Sequence, residues 1–180
     1  VFRSIWVPLL ATGGFLLSLA AAFGAVVAVY QWGWLGPVFG VENPGAVLSF
    51  LPIILIGVLF GLAMDYQVSI ASGVRVSYVH GESAKHAVRS GFSHAAAVVT
   101  AAAIIMVSVF SGFIFSHLNM VRPLGFAMAF GVLIDAFVVR MTIVPAVMYL
   151  LGEKAWWLPR WLDRILPDVD VEGAKLRKPV

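Results

Sequence analysis

Cysteine is absent from the 180 residues, which excludes disulfides, thiol catalysis and thiolate metal sites while leaving the redox compartment open. Charge is scarce too. Lys, Arg, Asp and Glu together make up 12% of the chain, against roughly 25% in an ordinary soluble protein. No HExxH, Ser-His-Asp or nucleotide-binding glycine pattern occurs, so the common hydrolytic and nucleotide-dependent enzyme classes have no foothold. Segments of about ten residues with alternating polarity are also missing, which excludes a closed transmembrane barrel. The net charge of +3 calls for no nucleic-acid partner. What the chain does have is apolar residues: 61% are hydrophobic and the mean hydropathy is +0.97. These values place it in a lipid bilayer.

Uncharged runs extend from Ser4 to Val41, Asn43 to Met64 and Ser90 to Val121, and a fourth, Pro123 to Leu151, is broken only by Asp135 and Arg140. A spanning helix needs about 20 apolar residues. The expected architecture is therefore an all-α integral membrane bundle over 1–152, with spans near 5–30, 47–72, 92–115 and 123–151. Arg3 precedes the first run, and Arg75, Lys85 and Arg89 fall between the second and third. By the positive-inside rule both termini and the middle connection face the cytoplasm. Val1-Phe2-Arg3-Ser4 reads as a basic hinge after an earlier helix, so the expectation is a fragment, with a bundle that packs without being complete.

Asp65 stands out because it follows the apolar run ending at Met64, where a carboxylate has no ordinary reason to be. An ionisable group at the centre of a membrane helix costs roughly 2.5–3.5 kcal/mol and marks function by default. Tyr66 beside it carries a hydroxyl that can donate to a carboxylate. Steps of four along a helix put Gly57, Gly61, Asp65, Ser69 and Gly73 on one stripe. Small residues at that spacing let a second backbone approach, so the carboxylate is expected to face protein. The run Ala127, Gly131, Asp135 repeats the arrangement, and Gly14, Ser18, Ala21, Ala25 and Ala28 form a third stripe. Asp135 and Arg140 are five residues apart, roughly 140° around an ideal helix. They are expected to seek separate partners rather than each other, with Arg140 snorkelling to the cytoplasmic side.

A buried carboxylate can be protonated or ionised according to the neighbours a conformational change supplies, which suits proton coupling. Metal binding does not fit: no second carboxylate or His lies within a turn of Asp65, and His80, His86, His94 and His117 read as solvated or interfacial. No cofactor is expected beyond protons as the coupling ion. After the spans, Leu158, Trp161, Leu162 and Ile165 share one helical side, with Arg160, Asp163 and Arg164 elsewhere. That pattern predicts an amphipathic interfacial helix over 153–166, followed by a loose cytoplasmic tail over 167–180.

The run Gly61-Leu62-Ala63-Met64-Asp65-Tyr66, the segment Gly131-Val132-Leu133-Ile134-Asp135-Ala136-Phe137-Val138-Val139-Arg140 with Pro145 after it, and the Trp-Trp-Leu-Pro-Arg-Trp tail resemble the C-terminal membrane half of MMPL transporters, in the resistance-nodulation-division superfamily. The resemblance covers nearly the whole chain. It implies the ninth through twelfth helices of a twelve-helix, proton-motive-force-driven exporter of lipids or other hydrophobic compounds in the bacterial plasma (inner) membrane. It also implies that Asp65 and Tyr66 are one Asp-Tyr pair of a proton relay, that Asp135 and Arg140 are ancillary, and that the other pair comes from an N-terminal half. Its partners are then the bilayer, that other half and a hydrophobic cargo, and an oligomer is compatible with it. A drug, sterol or protein-translocation transporter of the same superfamily fits the residues as well, and so does a non-transporting membrane scaffold whose Asp65 only bonds a neighbouring helix.

The charge placement makes a direct prediction. Cysteines introduced as Glu42→Cys and Ser83→Cys should label from opposite sides of the membrane, the first from outside and the second from the cytoplasm. Labelling of both from one side would refute the four-span arrangement.

Overall fold

A computed structural model of the chain describes residues 5–42, 45–46, 49–79 and 84–152. The elements follow from the apolar runs: α1 (Trp6–Val26) passing into a π-helical turn (Val27–Gln31), a single turn α2 (Gly36–Phe39), α3 (Leu51–Val79), α4 (Ala84–Ile114), α5 (Val121–Leu133), a π-helical stretch (Ile134–Ile143) and α6 (Val144–Leu151). Three continuous rods are long and apolar enough to cross a membrane: Trp6–Gln31, Ala95–Ile114 and Val121–Leu151. The fourth, α3, is 29 residues long, and its apolar part among the described residues is Leu51–Asp65. Helices α3 and α4 extend beyond the apolar runs that define them, so Arg75 falls in α3 and Lys85 and Arg89 in α4. A helix does not stop where the bilayer does, because its hydrogen bonds are satisfied within the segment on either side of that boundary. The expected interfacial helix at 153–166 and the tail at 167–180 lie outside the described residues.

The rod Val121–Leu151 is the centre of the bundle. Of its most apolar stretch 56% is buried, against 22% in Trp6–Gln31 and 17% in Ala95–Ile114. Helix α4 packs along α3 and α5, and α1 packs on α5, α3 and the π stretch. Without water to drive helices together, close backbone approach decides where they cross. A Cβ on Gly125 would stand 2.6 Å from Phe113 Cβ and 2.9 Å from the Phe110 carbonyl oxygen, so α5 crosses α4 backbone to backbone there. One on Gly131 would meet Leu59 at 2.9 Å and Ala22 at 3.3 Å, where α3 and α1 converge on α5.

Helix α3 turns a different side to this core from the one its glycines suggest. Leu51, Leu55, Leu59 and Ala63, each four apart, are all 0–1% exposed. Gly57 and Gly61 are two residues out of step with that row, about 200° around the helix. They are exposed, and a Cβ on either would meet nothing within 4 Å. The expectation that this stripe packs against the other helices of the chain is therefore corrected: the branched row fills the interior, and the glycine row looks outward.

The two kinds of glycine separate in a stability measurement. Gly125→Ala should destabilise the purified chain by about 1–3 kcal/mol through overpacking against α4 backbone. Gly61→Ala should be neutral or stabilise by up to about 1 kcal/mol through helix propensity. Detergent unfolding followed by circular dichroism reads both, and equal effects would contradict the packing described.

Candidate functional site

Two carboxylates on the helices, Asp65 and Asp135, stand in opposite environments. Asp135 is 3% exposed and Arg140 1%. They are bonded to each other: Arg140 Nε donates to Asp135 Oδ2 at 2.6 Å. The expectation of separate partners is overturned, and the cause is backbone winding. Both lie in the π-helical stretch Ile134–Ile143, where each turn closes on the fifth residue instead of the fourth. Residue i+5, far around the axis in an α-helix, returns over residue i. Thr142 records the same winding, since its hydroxyl donates to the Phe137 carbonyl five residues back at 3.0 Å. Pro145 sits in the first turn of α6. It has no N–H for the carbonyl four residues back, and in a regular α-helix its ring would strike that carbonyl. The wider winding ahead of it relieves both problems.

The second oxygen of Asp135 is held from α1. Ser18 Oγ donates to Asp135 Oδ1 at 2.9 Å, and the same hydroxyl lies 3.0 Å from the Gly14 carbonyl oxygen. Ser18 is 1% exposed. Gly14 makes this approach possible, because a Cβ there would come within 2.5 Å of Val139 Cγ1. Sequence reasoning placed Ser18 in a packing stripe and gave it no chemical role. Its signal was a hydroxyl on the face of α1 that small residues mark for close contact. A buried charge pair is tolerated only when its remaining polar positions are also satisfied, and Ser18 supplies one of them.

Asp65 is the counterpart. It lies on α3 two residues beyond buried Ala63 and is exposed, with no hydrogen-bond or ionic partner among the described residues. Gly57 and Gly61 share its side of the helix, open along their length. Tyr66 follows in α3, but its side chain is outside the described residues. The structure therefore does not bring Asp65 together with Asp135: one faces outward from α3, the other is sealed between α1 and the π stretch. His117 is exposed in the α4–α5 connection, and His86 is exposed near the start of α4. Among the described residues no cluster of three or more His, Asp or Glu gathers as a metal site.

A model of the MMPL family matches residues 1–167. The chain belongs to the MMPL family. Among curated relatives of this MMPL chain, Membrane protein YdfJ of Bacillus subtilis is 50% identical over 180 residues, covering all of this chain and 25% of YdfJ. The Mycolic acid-containing lipids exporter MmpL11 of Mycolicibacterium smegmatis is 43% identical over 157 residues, 87% of this chain and 16% of that protein. The Trehalose monomycolate exporter MmpL3 of the same organism is 34% identical over 167 residues, 91% of this chain and 16% of that protein. The chain thus spans a quarter or less of the length of these relatives. Its apolar rods and these relatives make it a multi-pass membrane protein, and two of the three relatives are named as exporters of lipids.

The buried pair is open to a double-mutant test. Asp135→Asn or Arg140→Gln alone should destabilise the chain by about 3–5 kcal/mol, because each leaves one charge buried without its counter-charge. The double variant should recover most of that loss, and Ser18→Ala should cost about 1 kcal/mol. Additive single effects, read by thermal unfolding in detergent, would show that the two residues do not act as a pair.

Proposed function

We propose that this chain provides the second half of a proton-motive-force-driven exporter of lipids or other hydrophobic compounds, with Asp65 and Tyr66 as one Asp-Tyr pair of an intramembrane proton relay. The observation that carries the reading is the direction in which α3 presents Asp65. The leucine row is spent on the chain's own core, and the carboxylate stands on the opposite side above two open glycines. A carboxylate on an apolar helix, beside a groove only glycine leaves, is placed to meet another backbone and its polar groups. The second Asp-Tyr pair would come from an N-terminal half docked there. Names of relatives as lipid exporters support a hydrophobic cargo.

Asp135, Arg140 and Ser18 then have an ancillary role, fixing α1 against the central rod so that α3 keeps its rotation. The bilayer in this reading is the bacterial inner membrane, with both ends of the segment in the cytoplasm. Protons are the only coupling ligand it needs, and transport rather than a catalysed reaction is the output. A scaffold without transport has one observation in its favour: the Asp135–Arg140 pair accounts for two intramembrane charges by packing alone.

Substitution in the complete transporter separates these readings. Asp65→Asn keeps the shape and removes the titratable proton, so export should be abolished while insertion and abundance are unchanged. Tyr66→Phe should weaken export without abolishing it. One charge moved through 100 mV is worth about 2.3 kcal/mol, so loss of a single coupled proton lowers the attainable cargo gradient by roughly fifty-fold. Normal proton-dependent export by a well-inserted Asp65→Asn protein would sink the relay and favour the scaffold.

A further inference from the structure

Where α1 ends and α5 begins, Tyr30, Gly40, Val41, Glu42, Asn119 and Arg122 line a cavity of about 300 Å³. Arg122 organises it. Its Nε donates to the Ser116 carbonyl at 2.7 Å and its Nη1 to the Gly40 carbonyl at 3.0 Å, joining the α4–α5 turn to the connection after α2. Gly40 has φ +65°, and a Cβ there would stand 3.0 Å from that Nη1, so only glycine lets the chain fold so closely over the guanidinium. A guanidinium carries five N–H donors, and two are spent on these carbonyls.

The second element is an orphan. Tyr30 is 8% exposed, and its hydroxyl is buried with no partner among the described residues. Its ring is braced edge-on by Phe126, centroids 5.7 Å apart, and Phe126 is braced in turn by Phe39 at 4.9 Å. The hydroxyl is therefore held in place rather than free to swing to water. A buried hydroxyl with no acceptor is destabilising, and in native proteins it calls for an explanation. A ligand acceptor in the cavity that Tyr30 lines is such an explanation.

The surroundings identify the ligand's chemistry. Trp32 and Trp34 lie two and four residues after Tyr30 and are exposed, as indoles at headgroup depth are. Leu35 and Val38 precede the Gly40–Glu42 lining, and Leu118 and Met120 flank Asn119; all four are exposed apolar residues. They make a rim suited to acyl chains beside a donor-rich cavity. Glu42 is exposed at the same site, and its carboxylate disfavours a dianion more than a monoanion. We propose that this cavity binds the phosphodiester of a membrane-lipid headgroup, with Arg122 donating to the anionic oxygens and the Tyr30 hydroxyl completing the donor set.

The test is native mass spectrometry of the full chain in mild detergent, titrated with dihexanoyl phosphatidylglycerol and, separately, with inorganic phosphate. One saturable equivalent of the lipid is expected. Arg122→Gln should abolish it, and Tyr30→Phe should weaken it about tenfold by removing one hydrogen bond to a charged group. Arg122 also ties two connections together, so where its variant does not fold, Tyr30→Phe decides. Without lipid it should melt at or above the parent's temperature, since an unpaired hydroxyl is gone. Lipid affinity unchanged by Tyr30→Phe would overturn the proposal. Saturation by inorganic phosphate that the lipid cannot displace would overturn it too, by assigning the cavity to a free anion.

Discussion

An ion pair sealed from water sets the terms for the rest of this bundle. Asp135 and Arg140 are almost wholly buried, and charges taken from water persist there only with close counter-charge and filled hydrogen bonds. The pair needs a helix wound so that residue i+5 comes back over residue i, which the π stretch Ile134–Ile143 provides. It needs α1 near enough for Ser18 to reach the carboxylate, which Gly14 permits. It also needs the surrounding helices to exclude water, and that places the charged rod at the centre. Several features that look independent, namely the small residues of α1, the proline after the wide turns and the central position of the last rod, serve this one demand.

Much of the architecture was legible before any coordinates, because hydropathy and length act locally: apolar runs must satisfy their own backbone, and helices are how they do it. Class, apolar rods and the singularity of Asp65 all rest on that constraint. The side of α3 that faces inward was harder to read. Glycines at Gly57 and Gly61 and leucines at Leu51, Leu55 and Leu59 both run at helical spacing, and each is a packing signal in lipid. Which one packs first depends on what the neighbouring helices offer, and Gly131 of α5 offers a recess for Leu59. The bond between Asp135 and Arg140 was hidden for a different reason. Spacing arguments assume a fixed pitch, and here the pitch itself changes ahead of Pro145, the one residue that hints at it.

The two ends of the polar chemistry also differ in kind. Around Asp135 the described bonds are those from Arg140 within the central rod and from Ser18 of α1. Around Tyr30 and Arg122, a cation ties two connections together beside a hydroxyl that has no partner among the described residues. The first arrangement stiffens the bundle, and the second leaves a cavity.

The two-sidedness of α3 bears on the order in which such a protein is assembled. The leucine side can close with α4 and α5 as soon as these helices are in the bilayer. On the proposed reading the Asp65 side then remains against lipid, where a carboxylate is disfavoured by roughly 2.5–3.5 kcal/mol. That penalty is relieved only when a complementary polar helix arrives. A folded half carrying such a penalty on one face has an inbuilt bias toward the correct mate and away from arbitrary apolar neighbours, which cannot relieve it. On that reading the same carboxylate would mark the unmated segment as unfinished during biogenesis and take up its relay role once the mate has docked.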